Sequence, residues 1–140
     1  MEILRIMAVA VYFIVGAISL VMAIRNLLSK KFMPFQEEAA GRRWDEIDGN
    51  LRPVILALMR VSGAGFLAVS LLLMVFPAYE FFYRNAFIRY SVPSIAVIYC
   101  SCLCAANYSL HRLTGADTPW KKSLFAMLLI AAGIALSAFS

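Results

Sequence analysis

The stretch from Trp44 to Gly65, WDEIDGNLRPVILALMRVSGAG, leads from a charged segment into an apolar run that carries one arginine, Arg60. The apolar run covers residues 53–76. A helix of about 20 apolar residues crosses the hydrocarbon core of a bilayer, which is ~30 Å thick. Backbone N–H and C=O groups find no water in lipid, so such a segment must satisfy them within a helix. The stretch therefore predicts a transmembrane helix preceded by a polar segment.

Three further apolar runs, at residues 3–24, 91–110 and 123–139, approach or reach the length needed to cross the bilayer, although the last has only 17 residues. Hydrophobic residues make up 63% of the chain and charged residues 15%, which is too apolar for a soluble protein of this size. No long polar segment is left for a second domain. We therefore expect an all-α membrane protein with a single integral membrane domain over residues 1–140, folded as an antiparallel four-helix transmembrane bundle.

Lysine and arginine are unequally distributed over the segments that join these runs. Nine lie in segments 25–52 and 111–122, whereas the other side holds Arg5, Arg84 and Arg89. Segments rich in Lys and Arg remain in the cytoplasm. We expect 25–52 and 111–122 to be cytoplasmic and both termini to be periplasmic, in a bacterial inner membrane.

The segments that flank the runs carry aromatic residues typical of a membrane interface. Between the first two spans, residues 36–50 alternate in charge around Trp44, which predicts a short interfacial helix within segment 29–50. An ordinary solvated loop is the alternative, because the apolar stripe is narrow. Residues 77–90 predict an aromatic belt at the opposite face. The expected interface residues are Trp44, Trp120, Tyr79, Tyr83 and Tyr90.

The start of the third span is ambiguous. It begins either near Ser91 or earlier, near Asn85. In the second case Pro93 lies inside the helix, where it removes one backbone hydrogen bond. Both alternatives stay open at the level of sequence.

Arg60 is the residue that most invites a functional explanation. It follows Pro53 by seven residues, which places it roughly 10 Å inside the helix at ~1.5 Å per residue. An arginine within a span usually faces the bundle interior or water, where its guanidinium can hold a phosphate or carboxylate. The alternative is a side chain that extends to the headgroups. Ligand-binding candidates at a similar depth are Arg60, Ser19, Cys104, Asn107 and Tyr108.

Groups for catalysis or metal binding are scarce. All eight acidic residues are expected in loops or at helix ends, so a carrier that needs an acid within the membrane is disfavoured. His111 is the single histidine, and Cys100, Cys102 and Cys104 cannot all face one side of a helix. We expect no catalytic residue, no metal and no cofactor.

Small residues concentrate on the second and fourth runs. Where small residues recur along a membrane helix, another helix can approach closely, within the chain or from a second molecule. The expected helix-packing residues are Gly63, Gly65, Ala68, Gly133 and Ser137.

These features favour a noncatalytic membrane module that binds a partner membrane protein or assembles with itself. The alternative is binding or transfer of an anionic amphiphile, a phospholipid or an isoprenoid phosphate, at a site around Arg60. A small membrane enzyme and a channel are further alternatives. The expected partners are the lipid bilayer, a second copy or partner protein, and anionic lipid. Nucleic acid is not expected, because the basic residues lie between apolar runs.

Overall fold

A computed structural model describes residues 2–139 of the chain and is 86% helical, without a strand in that range. Within it, four helices are long and apolar enough to cross a membrane. This confirms the expected all-α membrane architecture. The helices are α1 (Glu2–Leu28), α2 (Pro34–Ala40), α3 (Leu51–Tyr83), α4 (Ala86–Thr114) and α5 (Trp120–Ala138), with a short 3-10 turn at Trp44–Glu46.

The α3–α4 connection is shorter than the expected spans at 53–76 and 91–110 imply. Pro77 lies inside α3, which continues to Tyr83, and α4 begins at Ala86. The turn is formed by Arg84, in the left-handed conformation with φ 51°, whose N–H donates to the Glu80 carbonyl at 2.8 Å. The segment is therefore mostly helical. The early start of α4 is the correct alternative, and Pro93 lies within that helix.

The start of α4 is set by Asn85. The side-chain oxygen of this residue accepts a hydrogen bond from the backbone N–H of Ile88 at 3.2 Å. An asparagine at this position satisfies one of the amides that a helix leaves unpaired at its first turn. A left-handed residue followed directly by a capping residue thus reverses the chain within two positions.

Each long helix packs against two others. α1 contacts α3 and α5, and α4 likewise contacts α3 and α5. The buried core between them draws on all four helices: Ala8, Tyr12, Val15, Val69, Leu73, Ala96, Cys100 and Ile130. Later positions of α1 meet earlier positions of α3. Arg5 contacts Glu80, the Ser19 hydroxyl donates to the Phe66 carbonyl at 2.8 Å, and Asn26 lies against Gly63.

Glycine allows the closest of these approaches. A Cβ atom at Gly133 of α5 would lie 2.6 Å from the Tyr12 ring of α1. At Gly63 of α3 it would lie 2.9 Å from the Leu27 side chain. These distances are shorter than any van der Waals contact between carbon atoms. The two glycines therefore bring α3 and α5 against α1.

The segment between α1 and α3 is folded back on itself. The rings of Phe32 and Trp44 meet edge to face with centroids 5.0 Å apart. The Arg52 guanidinium lies over the Trp44 ring and donates to the carbonyls of Ile47 and Asp45 at 3.0 and 2.9 Å. α2 contacts α4. This arrangement places Met33 and the residues of α2 beside the ends of the long helices.

Candidate functional site

A cavity of about 310 Å³, here called the central cavity, lies between α1, α3 and α4. α2 and the residue before it contribute Met33, Phe35 and Gln36 to its wall. The long helices contribute mainly apolar groups, together with the polar side chains of Asn26, Ser62 and Asn107. The remaining lining residues are Met22, Ile55, Leu58, Met59, Phe66, Leu103, Leu110 and Pro119.

The central cavity adjoins two further spaces. A narrower one of about 120 Å³, the apolar arm, reaches Val15, Val69 and Tyr99 between the helices. An open one of about 570 Å³, the mouth, lies between the end of α1, α2 and the start of α5. All three share Met22 and Pro119 in their walls. The three spaces are therefore neighbours, and we refer to them together as the groove.

The mouth is charged, in contrast to the interior. Arg25, Lys121 and Lys122 line it together with the acids Glu38 and Asp117. All five side chains are exposed. Across residues 2–139 the ion pairs are those of Glu80, so none of these five groups has a charged partner. The mouth thus presents three cations and two carboxylates that the chain itself leaves unpaired.

The loop that carries Asp117 is held in place by two side chains of the bundle. The buried Thr118 hydroxyl donates to the Asn107 carbonyl of α4 at 2.7 Å. The His111 ring lies with Nδ1 2.7 Å from the Ala116 carbonyl. α4 ends in the left-handed Gly115, whose N–H donates to the His111 carbonyl. These contacts position Asp117, Pro119 and the first turn of α5 at the mouth.

Most polar groups within the groove are already hydrogen-bonded. The Asn26 side-chain amide donates to the Met22 carbonyl at 2.9 Å. Gln36 accepts a hydrogen bond from the Met33 amide at 2.8 Å. A buried polar group that is satisfied by backbone adds little to ligand binding. The interior of the groove therefore offers chiefly an apolar surface, and the charged groups stand at its opening.

The structure separates Arg60 from the residues grouped with it by depth. Its side chain is exposed, and neither the central cavity, the apolar arm nor the mouth includes it. Met59 beside it is buried, because successive residues of a helix point about 100° apart. Ser19 lies in the wall of the apolar arm, and Asn107 in the walls of both inner cavities. The two therefore line the groove without Arg60.

Cys104 and Tyr108 have other contacts. The Cys104 thiol lies 3.6 Å from the Trp120 carbonyl of α5. The Tyr108 ring packs edge-on against the Trp120 ring, with centroids 5.2 Å apart, and it is exposed. The Lys121 ammonium lies 5.7 Å from the same Trp120 ring. Trp120 thus joins the ends of α4 and α5 beside the mouth.

The other residues expected at the membrane interface are Trp44, Tyr79, Tyr83 and Tyr90. Trp44 is half-buried. Tyr79 and Tyr83 are exposed and stack with ring centroids 4.4 Å apart, and Tyr90 is exposed on α4.

The small residues that were expected at helix contacts differ in their exposure. Gly63, Gly133 and Ser137 are buried, and Gly65 lies against Tyr99 of α4. Ala68 is exposed. Most of these residues therefore serve contacts within the chain.

A second polar cluster, the charge cluster, lies at the opposite end of the bundle and was not expected from the sequence. The Glu80 carboxylate receives Arg89 Nε and Nη2 at 2.9 and 2.8 Å and Arg5 Nη2 at 3.4 Å. Arg5 Nη2 also lies 2.9 Å from the Glu80 and Phe81 carbonyls, which belong to the last turn of α3. Glu80 is 4% exposed and Arg5 9%. The cluster joins α1, α3 and α4.

Glu80 lies in the last turn of α3, which agrees with the expectation that the acidic residues lie in loops or at helix ends, but its side chain is buried. Because α3 continues past Pro77, Glu80 is a buried helical residue. Spacing is the signal that could have revealed the cluster. Arg5 and Arg25 bound an uncharged stretch, as do Arg60 and Glu80, and each pair is twenty positions apart.

Within residues 2–139, no group of three or more His, Cys, Asp or Glu side chains is placed to hold a metal ion. Cys100 is buried, Cys102 exposed and Cys104 half-buried, and all three are free thiols. Comparison of the chain with protein-family models, curated proteins and solved structures gave no match.

Proposed function

We propose that this chain is an antiparallel four-helix transmembrane bundle that binds an anionic amphiphile, a phospholipid or an isoprenoid phosphate, in the groove that opens at the mouth. The observation that carries the proposal is the position of Arg25, Lys121 and Lys122 at the opening of an apolar space between helices. Cations hold a phosphate, and apolar walls hold a chain. The site is formed by these residues rather than by Arg60.

The positions of charged residues on α1 and α3 indicate where the two boundaries of the membrane lie. Arg60 and Glu80 lie twenty residues apart on α3, which is about 30 Å along a helix and equals the hydrocarbon thickness. Arg5 and Arg25 have the same spacing on α1. One boundary of the membrane then runs through the charge cluster. The other runs through Arg25 and Arg60, so that Arg60 reaches the headgroups.

The length of α3 agrees with these boundaries. α3 has 33 residues and is therefore about 50 Å long, longer than the hydrocarbon core. Counting inward from Pro53 overestimates the depth of Arg60, because the first turns of α3 project beyond the core. Segment 29–50 packs beside those turns, which supports an interfacial position for α2 and Trp44. The excess of Lys and Arg supports a cytoplasmic location for this side.

The antiparallel arrangement is supported by the order of contacts between helices. The beginning of α1 meets the end of α3 at Arg5 and Glu80, and Asn26 near its end meets Gly63. α3 and α4 are joined by the two-residue turn after Tyr83, and short connections join antiparallel neighbours.

Lipid retention by the purified full-length protein tests the proposal. Each Lys or Arg near an anionic headgroup contributes about 1 kcal/mol, so the triple change Arg25→Gln, Lys121→Gln, Lys122→Gln should lower affinity roughly a hundredfold. Native mass spectrometry measures the bound lipid. A control of equal charge is Arg42→Gln, Arg43→Gln, Arg60→Gln, because those residues lie outside the mouth wall. Equal losses in the two triple variants, or no loss in either, would contradict the proposal.

Self-assembly or binding of a partner protein ranks second. Its motivation was the small residues of the second and fourth runs, yet Gly63, Gly65 and Gly133 contact α1 and α4 of the same chain. Chemical cross-linking in native membranes distinguishes the two functions. A dimer whose yield is unchanged by the mouth variants would favour self-assembly.

A further inference from the structure

The mouth holds two carboxylates beside its three cations, and a ligand that needed only positive charge would not account for them. Glu38 comes from α2, and Asp117 comes from the loop before α5. Neither side chain has a hydrogen bond or an ion pair within the chain, so far as residues 2–139 are described. Ionised carboxylates only accept hydrogen bonds. Both carboxylates are exposed to water, so a ligand that fills the mouth and displaces this water must offer donors in its place.

The balance of charge narrows the class of ligand further. Three cations and two carboxylates leave an excess of one positive charge at the mouth. A phosphodiester carries a single negative charge, which neutralises this excess. A phosphomonoester carries about −1.5 to −2 charges at pH 7 and exceeds it. A head that combines a phosphodiester with an ammonium group has no net charge and leaves the excess uncompensated.

We propose that the amphiphile is a phosphodiester lipid with a neutral polyol head, of the phosphatidylglycerol type. Its phosphate is held by Arg25, Lys121 and Lys122, and its hydroxyl groups donate to Glu38 and Asp117. This inference rests on the proposed function and names the ligand class of the same site. The hydroxyl groups donate the hydrogen bonds that the carboxylates do not receive from the chain. The single negative charge of the phosphodiester balances the excess positive charge of the mouth.

The geometry of the mouth is suited to a head larger than a bare phosphate. Its volume of about 570 Å³ exceeds that of the central cavity behind it. The acids belong to two different segments, and Asp117 is positioned by the buried Thr118 contact with α4. A head with several hydroxyl groups can reach both segments at once. The carboxylates then discriminate between lipids that the cations alone would bind equally.

The test compares three lipids with identical acyl chains: phosphatidylglycerol, phosphatidic acid and phosphatidylethanolamine. Native mass spectrometry of the full-length protein with equimolar lipid mixtures measures their relative retention. The wild-type protein should retain phosphatidylglycerol about fivefold better than either competitor, because hydrogen bonds to charged acceptors are stronger than neutral ones. The double variant Glu38→Gln, Asp117→Asn should lose this preference while it retains phosphatidic acid more strongly. Asp45→Asn is the control, since the exposed Asp45 belongs to segment 29–50, as Glu38 does, and lies outside the mouth.

The outcomes separate this inference from the proposed function. A phosphatidylglycerol preference that is absent in the wild-type protein, or that persists in Glu38→Gln, Asp117→Asn, would overturn the inference alone. A preference for phosphatidylethanolamine that needs the two acids would replace the polyol by an ammonium head and also overturn it. Retention that is independent of Arg25, Lys121 and Lys122 would overturn the proposed function itself. Thermal unfolding of each variant shows whether the fold is intact.

Discussion

Replacement of Glu80 by glutamine tests whether the charge cluster holds the bundle together. The substitution keeps the shape of the side chain and removes its charge. It leaves Arg5, which is 9% exposed, and Arg89, whose side chain is 20% exposed, without a carboxylate between them. Breaking a buried ion pair by removing one partner costs about 3–5 kcal/mol. Because Arg89 is partly solvated, we expect a loss near the lower limit, about 3 kcal/mol.

The free energy of unfolding can be measured by titration with a denaturing detergent, followed by circular dichroism of the purified protein in micelles. Two controls define the interpretation. Asp45→Asn removes an exposed acid and should change stability by less than about 0.5 kcal/mol. The triple change Arg5→Met, Glu80→Leu, Arg89→Met removes all three charges together and should be about as stable as the wild type, since an apolar replacement of a buried ion cluster is often neutral. A Glu80→Gln variant as stable as Asp45→Asn would refute the reasoning.

Three further predictions concern packing, the mouth and topology. Gly133→Ala should destabilise the bundle by about 1–3 kcal/mol in the same unfolding assay, because its Cβ would lie 2.6 Å from the Tyr12 ring; Gly49→Ala, whose added Cβ meets nothing within 4 Å, is the control. Thr118→Val should cost about 1 kcal/mol by loss of its hydrogen bond to the Asn107 carbonyl and should weaken retention of phosphatidylglycerol through displacement of Asp117; an unchanged melting curve would contradict this. Reporter fusions should be active in the cytoplasm when inserted within 36–48 and in the periplasm when joined after Phe139, and the reverse pattern would invert the proposed orientation.

Helix content could be predicted from the sequence, whereas helix ends could not. The four apolar runs are long enough that a backbone in lipid has no alternative to a helix, and all four candidate spans lie where the runs are. Pro77 suggested the end of the second run, but α3 continues through it. The actual end is at Arg84, a non-glycine residue with φ 51°, followed by the Asn85 cap. The left-handed conformation of Arg84 goes with the packing of α4 against α3. The residue types in this segment do not predict that packing.

The candidate site, too, could be predicted from the sequence only in part. The cations of the mouth are visible in the sequence, where they indicate topology and contacts with lipid headgroups. Nothing local associates Arg25 with Lys121, which is almost a hundred positions later in the chain. The same holds for Arg5 and Glu80. Both groups form only because the ends of different helices come to the same level of the bundle.

The amino-acid sequence by itself determined that this chain is a helical membrane protein with four apolar spans, because the length and polarity of each run leave the backbone no other solution in lipid. The tertiary structure decided which face of each helix lies inside. A soluble helix reveals its buried face by a stripe of apolar residues, but a membrane helix is apolar on all sides and lacks this signal. Arg60 on the outside and Glu80 on the inside of the same α3 could therefore be distinguished only by the neighbours that pack against that helix.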